Sequence, residues 1–296
     1  MISYSKLNTY NTCPKQYKFK YVEKDFGDGG IPAVQFGSLV HEILSKFTAE
    51  TTKEDIGTII DGMVKEYAKK YPYEMFQDAE DVIYDWFEED KFTKTFAVEQ
   101  ELKYKIGKCE IIGYIDRLDK IGEGEYEVVD YKVGNFLYTE QSLATSLQLE
   151  MYALGIHKLY DAFSVTVTYD NVLQNKQFSR EVIDFDIIEQ RIENYIDAML
   201  SDTEFEPRIS NMCAYCFFKS KCSEYQEYIT NELNVVDDPQ VISKEYFRLK
   251  QKQKELNDTI SQLSEILSAM GDNLYIHDTF DINVQGGKVY VRNKRR

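Results

Sequence analysis

Two acid-bearing segments separated by one tight turn constrain this chain more than any other feature. The first is Ile112-Gly113-Tyr114-Ile115-Asp116-Arg117 and the second is Val128-Val129-Asp130-Tyr131-Lys132, with Gly122-Glu123-Gly124-Glu125 between them. Runs rich in Ile, Val and Tyr on either side of a glycine-bearing turn predict a β-hairpin, with strands over 109–120 and 126–133. Such a hairpin brings the carboxylates of Asp116 and Asp130 onto neighbouring strands. Strand periodicity also puts Asp130 and Lys132 on one face. An isolated Asp-x-Lys reads as a surface ion pair. Two acids and an ammonium converging on an otherwise apolar sheet are costly unless they bind something.

That set suits phosphodiester hydrolysis, which needs an attacking water, charge relief at phosphorus and a stabilised leaving oxygen. A hard divalent cation supplies much of this and prefers oxygen ligands held at fixed positions. Lys132 is placed to hold or deprotonate the water and to neutralise developing charge. His41 lies at the margin of the apolar stripe Val40, Ile43, Leu44, Phe47. Alone it would be a packed core histidine, but beside a carboxylate site its imidazole can complete a metal shell. Gln148 and Tyr152 are four apart on one helix face and are expected to hold the site or a nucleic-acid backbone. His157 and His277 have no comparable context and are expected to be structural.

The remaining pattern predicts helices over 5–22 (with Ser5 as N-cap), 37–48, 142–160, 183–200 and 243–270. Gly27-Asp28-Gly29-Gly30 breaks the first, and a mostly helical, acidic and aromatic stretch covers 54–95. Further strands are expected over 98–106 and 163–170, with short strands in 273–293. Helix, strands, helix, strand is an α/β layout around a mixed sheet. A boundary falls at Asp237-Asp238-Pro239. Beyond it Leu249, Leu256 and Leu263 recur every seven residues, joined by Ile260, Leu267 and Met270. Under four heptads, that spacing favours an intramolecular helix hairpin over a coiled-coil partner.

No apolar run reaches 18 residues, so no membrane helix is expected, and Met1 to Lys6 lacks a signal peptide's apolar stretch. A soluble, cytoplasmic protein of a bacterial, archaeal or phage-infected cell follows. The net charge of −16 runs against nucleic-acid binding, which is usually basic. Local positive charge still acts within a Debye length of roughly 8 Å. Lys15, Lys18, Lys20 and Lys24 form one concentration, and Lys288, Arg292, Lys294, Arg295 and Arg296 another. Of five cysteines, Cys213, Cys216 and Cys222 are clustered, and in a reducing compartment such a cluster asks for a metal. Cys13 is the candidate fourth ligand, and spacing leaves zinc and iron–sulfur both open.

Taken together these residues resemble the RecB-like, iron–sulfur branch of the PD-(D/E)XK nuclease superfamily. That branch includes the nuclease domain of AddB and the stand-alone nucleases of CRISPR adaptation. The resemblance runs from Ser3-Tyr4-Ser5-Lys6-Leu7 through Tyr10, Cys13-Pro14 and Tyr17-Lys18-Phe19 to Gly37-Ser38-Leu39-Val40-His41. It continues through the two acidic strands to Gln148-Leu149-Glu150-Met151-Tyr152 and the three clustered cysteines. It spans about residues 1–225 and implies an α/β, restriction-endonuclease-like core; with the boundary above, the expected domain is 1–235, with a helical insert near 50–97, and 236–296 lies outside the motifs as a helix-and-strand extension. It implies His41, Asp116 and Asp130 as ligands of Mg²⁺ or Mn²⁺ and Lys132 as the catalytic lysine, with Gln148 and Tyr152 in support. It also implies Cys13, Cys213, Cys216 and Cys222 as ligands of a [4Fe–4S] cluster. The expected activity is exonucleolytic trimming of single-stranded DNA ends. The alternatives are a non-catalytic DNA-end-binding module of the same fold and a zinc-stabilised scaffold. No Gly-x4-Gly-Lys-Ser/Thr motor motif occurs, so a helicase or other DNA-processing partner would be a separate chain.

Overall fold

A mixed sheet with helices on both faces organises the first of two units in the computed structural model. The units are Met1–Cys222 and Ser223–Arg296. Residues 1–25, 32–134, 138–232, 239–276 and 280–293 are described. Gly27 to Gly30, Asp237, Asp238, His277 and residues 294–296 lie outside them.

The first unit opens with β1 (Ile2–Ser3), α1 (Tyr4–Thr12), α2 (Pro14–Tyr17) and a π-helical turn, Lys18–Val22. Next come α3 (Pro32–Leu44), α4 (Asp55–Tyr67) and α5 (Tyr73–Trp86), then β2 (Thr95–Ile106), β3 (Cys109–Gly122) and β4 (Glu125–Lys132). It continues with α6 (Glu140–Ala144), α7 (Leu147–Tyr160), β5 (Ser164–Asn171), β6 (Lys176–Val182) and α8 (Phe185–Ser201), and ends in two 3-10 turns, Asn211–Tyr215 and Lys219–Lys221.

The helix expected over 5–22 is broken. Cys13 is extended (φ −161°, ψ 112°), because Pro14 disfavours helical backbone in the residue before it. Ser3, not Ser5, is the N-cap, accepting from Lys6 N at 3.3 Å. The helix expected over 142–160 divides into α6 and α7, since Ser146 caps α7 by accepting from Leu149 N at 3.3 Å. Strand β6 was not anticipated: it is mostly exposed and carries no apolar alternation to read.

Sheet topology positions the site. Along one edge of β3 runs β2, antiparallel from Ile106↔Cys109 to Thr95↔Asp119. The other edge is shared. There β1 pairs parallel through Ile2↔Ile111 and Ser3↔Ile112, and β4 pairs antiparallel from Arg117↔Val129 to Gly122↔Glu125. Residues 113–116 fall between these partners, so the sheet forks at Asp116. Beyond β4 come β5, parallel (Asp130↔Tyr169), and β6, antiparallel.

Each face of the sheet has its own apolar core. One joins Leu7, Leu102, Ile115, Leu118, Val128, Leu154 and Ile192. The other joins α3, α4 and α5 to Val129, Tyr131 and Val172. Strand alternation sends Val128 and Val129 to opposite cores. It slips once beside the fork, because Ile115 and Leu118 share a core although three residues apart, as do Ala97 and Leu102, five apart. Glu99, opposite Asp116 in register, takes φ +47°, a backbone state costing a non-glycine residue about 1–2 kcal/mol.

The second unit holds α9 (Ser223–Glu232), the 31-residue α10 (Pro239–Ala269) and an antiparallel sheet of β7 (Asn273–Ile276), β8 (Phe280–Gln285) and β9 (Lys288–Asn293). Gly286 and Gly287, with φ +56° and +72°, make the two-residue β8–β9 turn that favours positive φ. The expected helix hairpin is not formed among the described residues. Leu249, Leu256 and Leu263 of α10 are exposed, because no described helix runs along them.

Candidate active site

The fork supplies the geometry of the site. The ladder between β3 and β4 ends at Arg117↔Val129, and the next amide, Tyr131 N–H, donates to Asp116 Oδ2 at 2.8 Å. Asp116 Oδ1 faces His41 Nδ1 at 3.3 Å, which reaches it from α3. One residue before Tyr131, Asp130 is buried and ion-paired with Lys132. Lys132 Nζ also donates to Gln148 Oε1 at 3.3 Å, and Gln148 Nε2 donates to Tyr152 Oη at 3.2 Å. The spacing of four on α7 thus becomes a relay from Tyr152 to the lysine. The structure brings His41, Asp116, Asp130, Lys132, Gln148 and Tyr152 together.

Electrostatics follow from burial. Burial pushes the Asp130 carboxyl up to about 6; the Lys132 ammonium opposes that and the Asp116 charge adds to it. Burial alone would lower Lys132, but the Asp130 carboxylate outweighs it, so the amine is held as a cation. For His41 too, burial is outweighed, here by Asp116 and Asp130, and its pKa is raised. Asp130 Oδ2 is buried against the Lys132 ammonium. Burying such an ion pair is costly, and a carboxylate held by one ammonium keeps lone pairs that a cation could use.

Several neighbours were not singled out from sequence. Glu99 is raised by partial burial and by Asp116, so a further carboxylate flanks the acid pair. Its signal was weak, one of several glutamates in an alternating strand. Lys132 lies over the rings of Tyr169 (4.9 Å) and Tyr138 (5.8 Å), and Tyr4 feels both Lys132 and Asp130. Gly113 borders Tyr152 so closely that a Cβ would fall 2.9 Å from its Cε1. His157 is structural, Nδ1 bonding Ala162 O at 2.7 Å and the ring stacking on Phe185.

Cys13, Cys213, Cys216 and Cys222 lie where both ends of the unit meet, and Cys109 is apart on β3. Arg208 contacts Asn11 O, Lys221 pairs with Asp25, Phe19 packs on Phe218 at 5.4 Å, and Tyr10 Oη donates to Asp202 at 2.8 Å. Cys216 is raised by burial and by the neighbouring thiols of Cys13 and Cys213. Cys222 follows the second 3-10 turn, and none of the five is in a disulfide. Among the described residues, no three His, Cys, Asp or Glu side chains stand at distances that would share one ion. At the fork the donors bond one another instead.

This restriction-endonuclease-like sheet with its forked acid pair belongs to the PD-(D/E)XK nuclease superfamily, whose sequence model matches residues 1–223. Members of that superfamily usually use divalent metals. Among the solved structures similar to this chain are the following three. SSO0001 is 17% identical over 76% of this chain and 86% of its own, with a TM-score of 0.37. An exonuclease candidate from Eubacterium rectale is 12% identical over 72% and 86%, with a TM-score of 0.47. Scheffersomyces stipitis Rai1, in complex with (3′-NADP)⁺ and calcium ion, is 11% identical over 80% and 70%, with a TM-score of 0.21. No curated protein matches the chain. No described helix is long and apolar enough to cross a membrane.

Proposed function

We propose that this chain is a divalent-metal-dependent deoxyribonuclease that trims single-stranded DNA ends as an exonuclease, in recombination, replication or CRISPR adaptation. The observation that carries the reading is the convergence at the fork of two carboxylates, an imidazole and an ammonium, with Asp116 against His41 and buried Asp130 paired with Lys132. Two carboxylates and an imidazole fit a hard or borderline cation, so His41, Asp116 and Asp130 would hold Mg²⁺ or Mn²⁺. When bound, that ion polarises the phosphoryl group and eases ionisation of water.

The chain's own side chains do the rest. Lys132, held as an ammonium, orients the attacking water and neutralises charge gathering on the phosphoryl oxygens. Gln148 fixes the lysine's direction, and Tyr152 fixes Gln148. Tyr131 N–H orients Asp116. Lys15, Lys18, Lys20 and Lys24 supply local positive charge that a chain of net −16 needs to hold DNA.

Cys13, Cys213, Cys216 and Cys222 suit a [4Fe–4S] cluster, which would tie the first helices to the segment after α8. Its part is structural, and the reading is supported by Cys216 feeling the thiols of Cys13 and Cys213. The nuclease domain runs over 1–235, with its helical insert near 50–97, and 236–296 is an extension. The chain would act alone or beside a helicase or other DNA-processing partner.

The test is digestion of end-labelled single- and double-stranded DNA with Mg²⁺, Mn²⁺ or EDTA. Metal-dependent cleavage is expected, abolished in D130A and K132A while DNA binding survives. Full cleavage by either variant would remove that residue from the mechanism. Binding without cleavage under every metal would make the chain an end-binding module. Absorbance near about 400 nm, lost in C13S, checks the cluster, and zinc alone on metal analysis would refute it.

A further inference from the structure

The geometry of α10 points to a two-stranded, parallel coiled coil with a second copy of this chain. A stripe at alternating spacings of three and four runs along the helix, apolar except at Gln253. Ile242, Leu249, Leu256 and Leu263 occupy one heptad position, d, with Met270 in phase just past the helix end, and Tyr246, Gln253, Ile260 and Leu267 the other, a. The seam is open to solvent: Leu249 is 48% exposed, Leu256 61%, Ile260 53% and Leu263 54%. The small sheet packs beside the end of α10, where Ser268 Oγ donates to Gly287 O at 3.0 Å, and leaves these residues uncovered. A 3.5-residue repeat fits another helix better than a flat surface, because it keeps one narrow stripe facing the partner.

Self-pairing is favoured by the polar residues. In a parallel, in-register pair each a residue meets its own copy, so Gln253 meets Gln253 and the two amides can bond each other. An antiparallel pair would set Gln253 against leucine. Flanking the seam, Glu245 of one chain lies near Lys250 of the other, an attractive pair formed twice. The later flanking positions, Lys252 with Asn257 and Thr259 with Ser264, bring no like charges together. Within one chain Glu245 pairs with Arg248, and Lys250 Nζ reaches Gln253 Oε1 at 3.0 Å; both contacts are exposed and easily exchanged.

Sedimentation of the full chain, whose protomer is 34.7 kDa, tests this directly. A dimer is expected at micromolar concentration, with L256E/I260E raising its Kd by more than about 100-fold. E245K should weaken it about two- to tenfold, and E245K/K250E should restore it. Helical content unchanged by circular dichroism shows that the variants fold. Oxidised I242C should cross-link to itself beyond the wild-type background, since only a parallel pair brings those positions together. A chain that stays monomeric overturns the proposal, whether or not a helix of another protein is later found on the seam. So does a dimer that L256E/I260E leaves intact, or one in which I242C gives no cross-link.

Discussion

Replacing Asp170 by alanine should unfasten the helical insert from the sheet. Asp170 is completely buried on β5, where Trp86 Nε1 donates to Oδ1 at 2.8 Å and Gln177 Nε2 to Oδ2 at 2.7 Å. Lys91 Nζ stands 3.6 Å away and 4.0 Å over the Trp86 ring, with only 6% of its side chain exposed. Removing one partner of a buried pair leaves the other charge uncompensated, at about 3–5 kcal/mol. For a unit near 200 residues, about 2–4 °C per kcal/mol puts the loss of Tm at roughly 6–20 °C. Thermal and urea unfolding of wild type, D170A, K91M and the double variant close a cycle, with a coupling of about 1–3 kcal/mol expected.

The pH dependence has a definite sign. Burial lowers the Lys91 pKa below its ordinary value, and deleting Asp170 removes the charge that opposes this. The folded state of D170A then binds fewer protons than the unfolded chain, so its deficit shrinks as pH rises towards about 10. Function should follow stability. The insert's helix α5 and α3, which carries His41, share one apolar core, so divalent affinity should fall even below the melting temperature. A loss under about 1 kcal/mol, or one unchanged in the K91M background, would refute the reasoning.

Three further outcomes are expected. In EDTA, Asp130 has its folded pKa near 6 against an ordinary 3.8, so its contribution to stability is complete below about pH 4 and is lost as pH rises through about 6. Relative to D130N, wild type should lose roughly 3 kcal/mol over that window by chemical unfolding, and a pH-independent difference would contradict it. G113A drives a methyl against Tyr152 and should cost about 1–3 kcal/mol, with a fall in cleavage rate larger than any fall in DNA affinity. E99G relieves the positive φ at Glu99 and should stabilise the fold by about 1 kcal/mol while weakening Mn²⁺ binding in calorimetry; unchanged affinity would show that Glu99 stands outside the metal site.

Much of the candidate site was legible because its chemistry is local. Asp130 and Lys132 are two apart on a strand, and Gln148 and Tyr152 are four apart on a helix. Backbone periodicity alone therefore fixes each pair. The break at Cys13 was equally local, written in Pro14, yet a periodic reading over 5–22 passed over it. His41 is different: 75 residues separate it from Asp116, and no local pattern carries that distance. Glu99 is different again, since its importance comes only from standing opposite Asp116.

Sequence by itself determined the acidic hairpin, most of the strands and helices around it, the spacing of the cysteines and the heptad stripe of α10. These follow from turn chemistry and from periods of two and three to four residues, which neighbouring side chains enforce. Tertiary structure decided that β3 would share one edge between β1 and β4, and that alternation would slip at Glu99 and Asp116. It also decided that a second core would carry His41 to the gap. Each depends on which distant surfaces bury one another, and burial is settled by the whole packed chain.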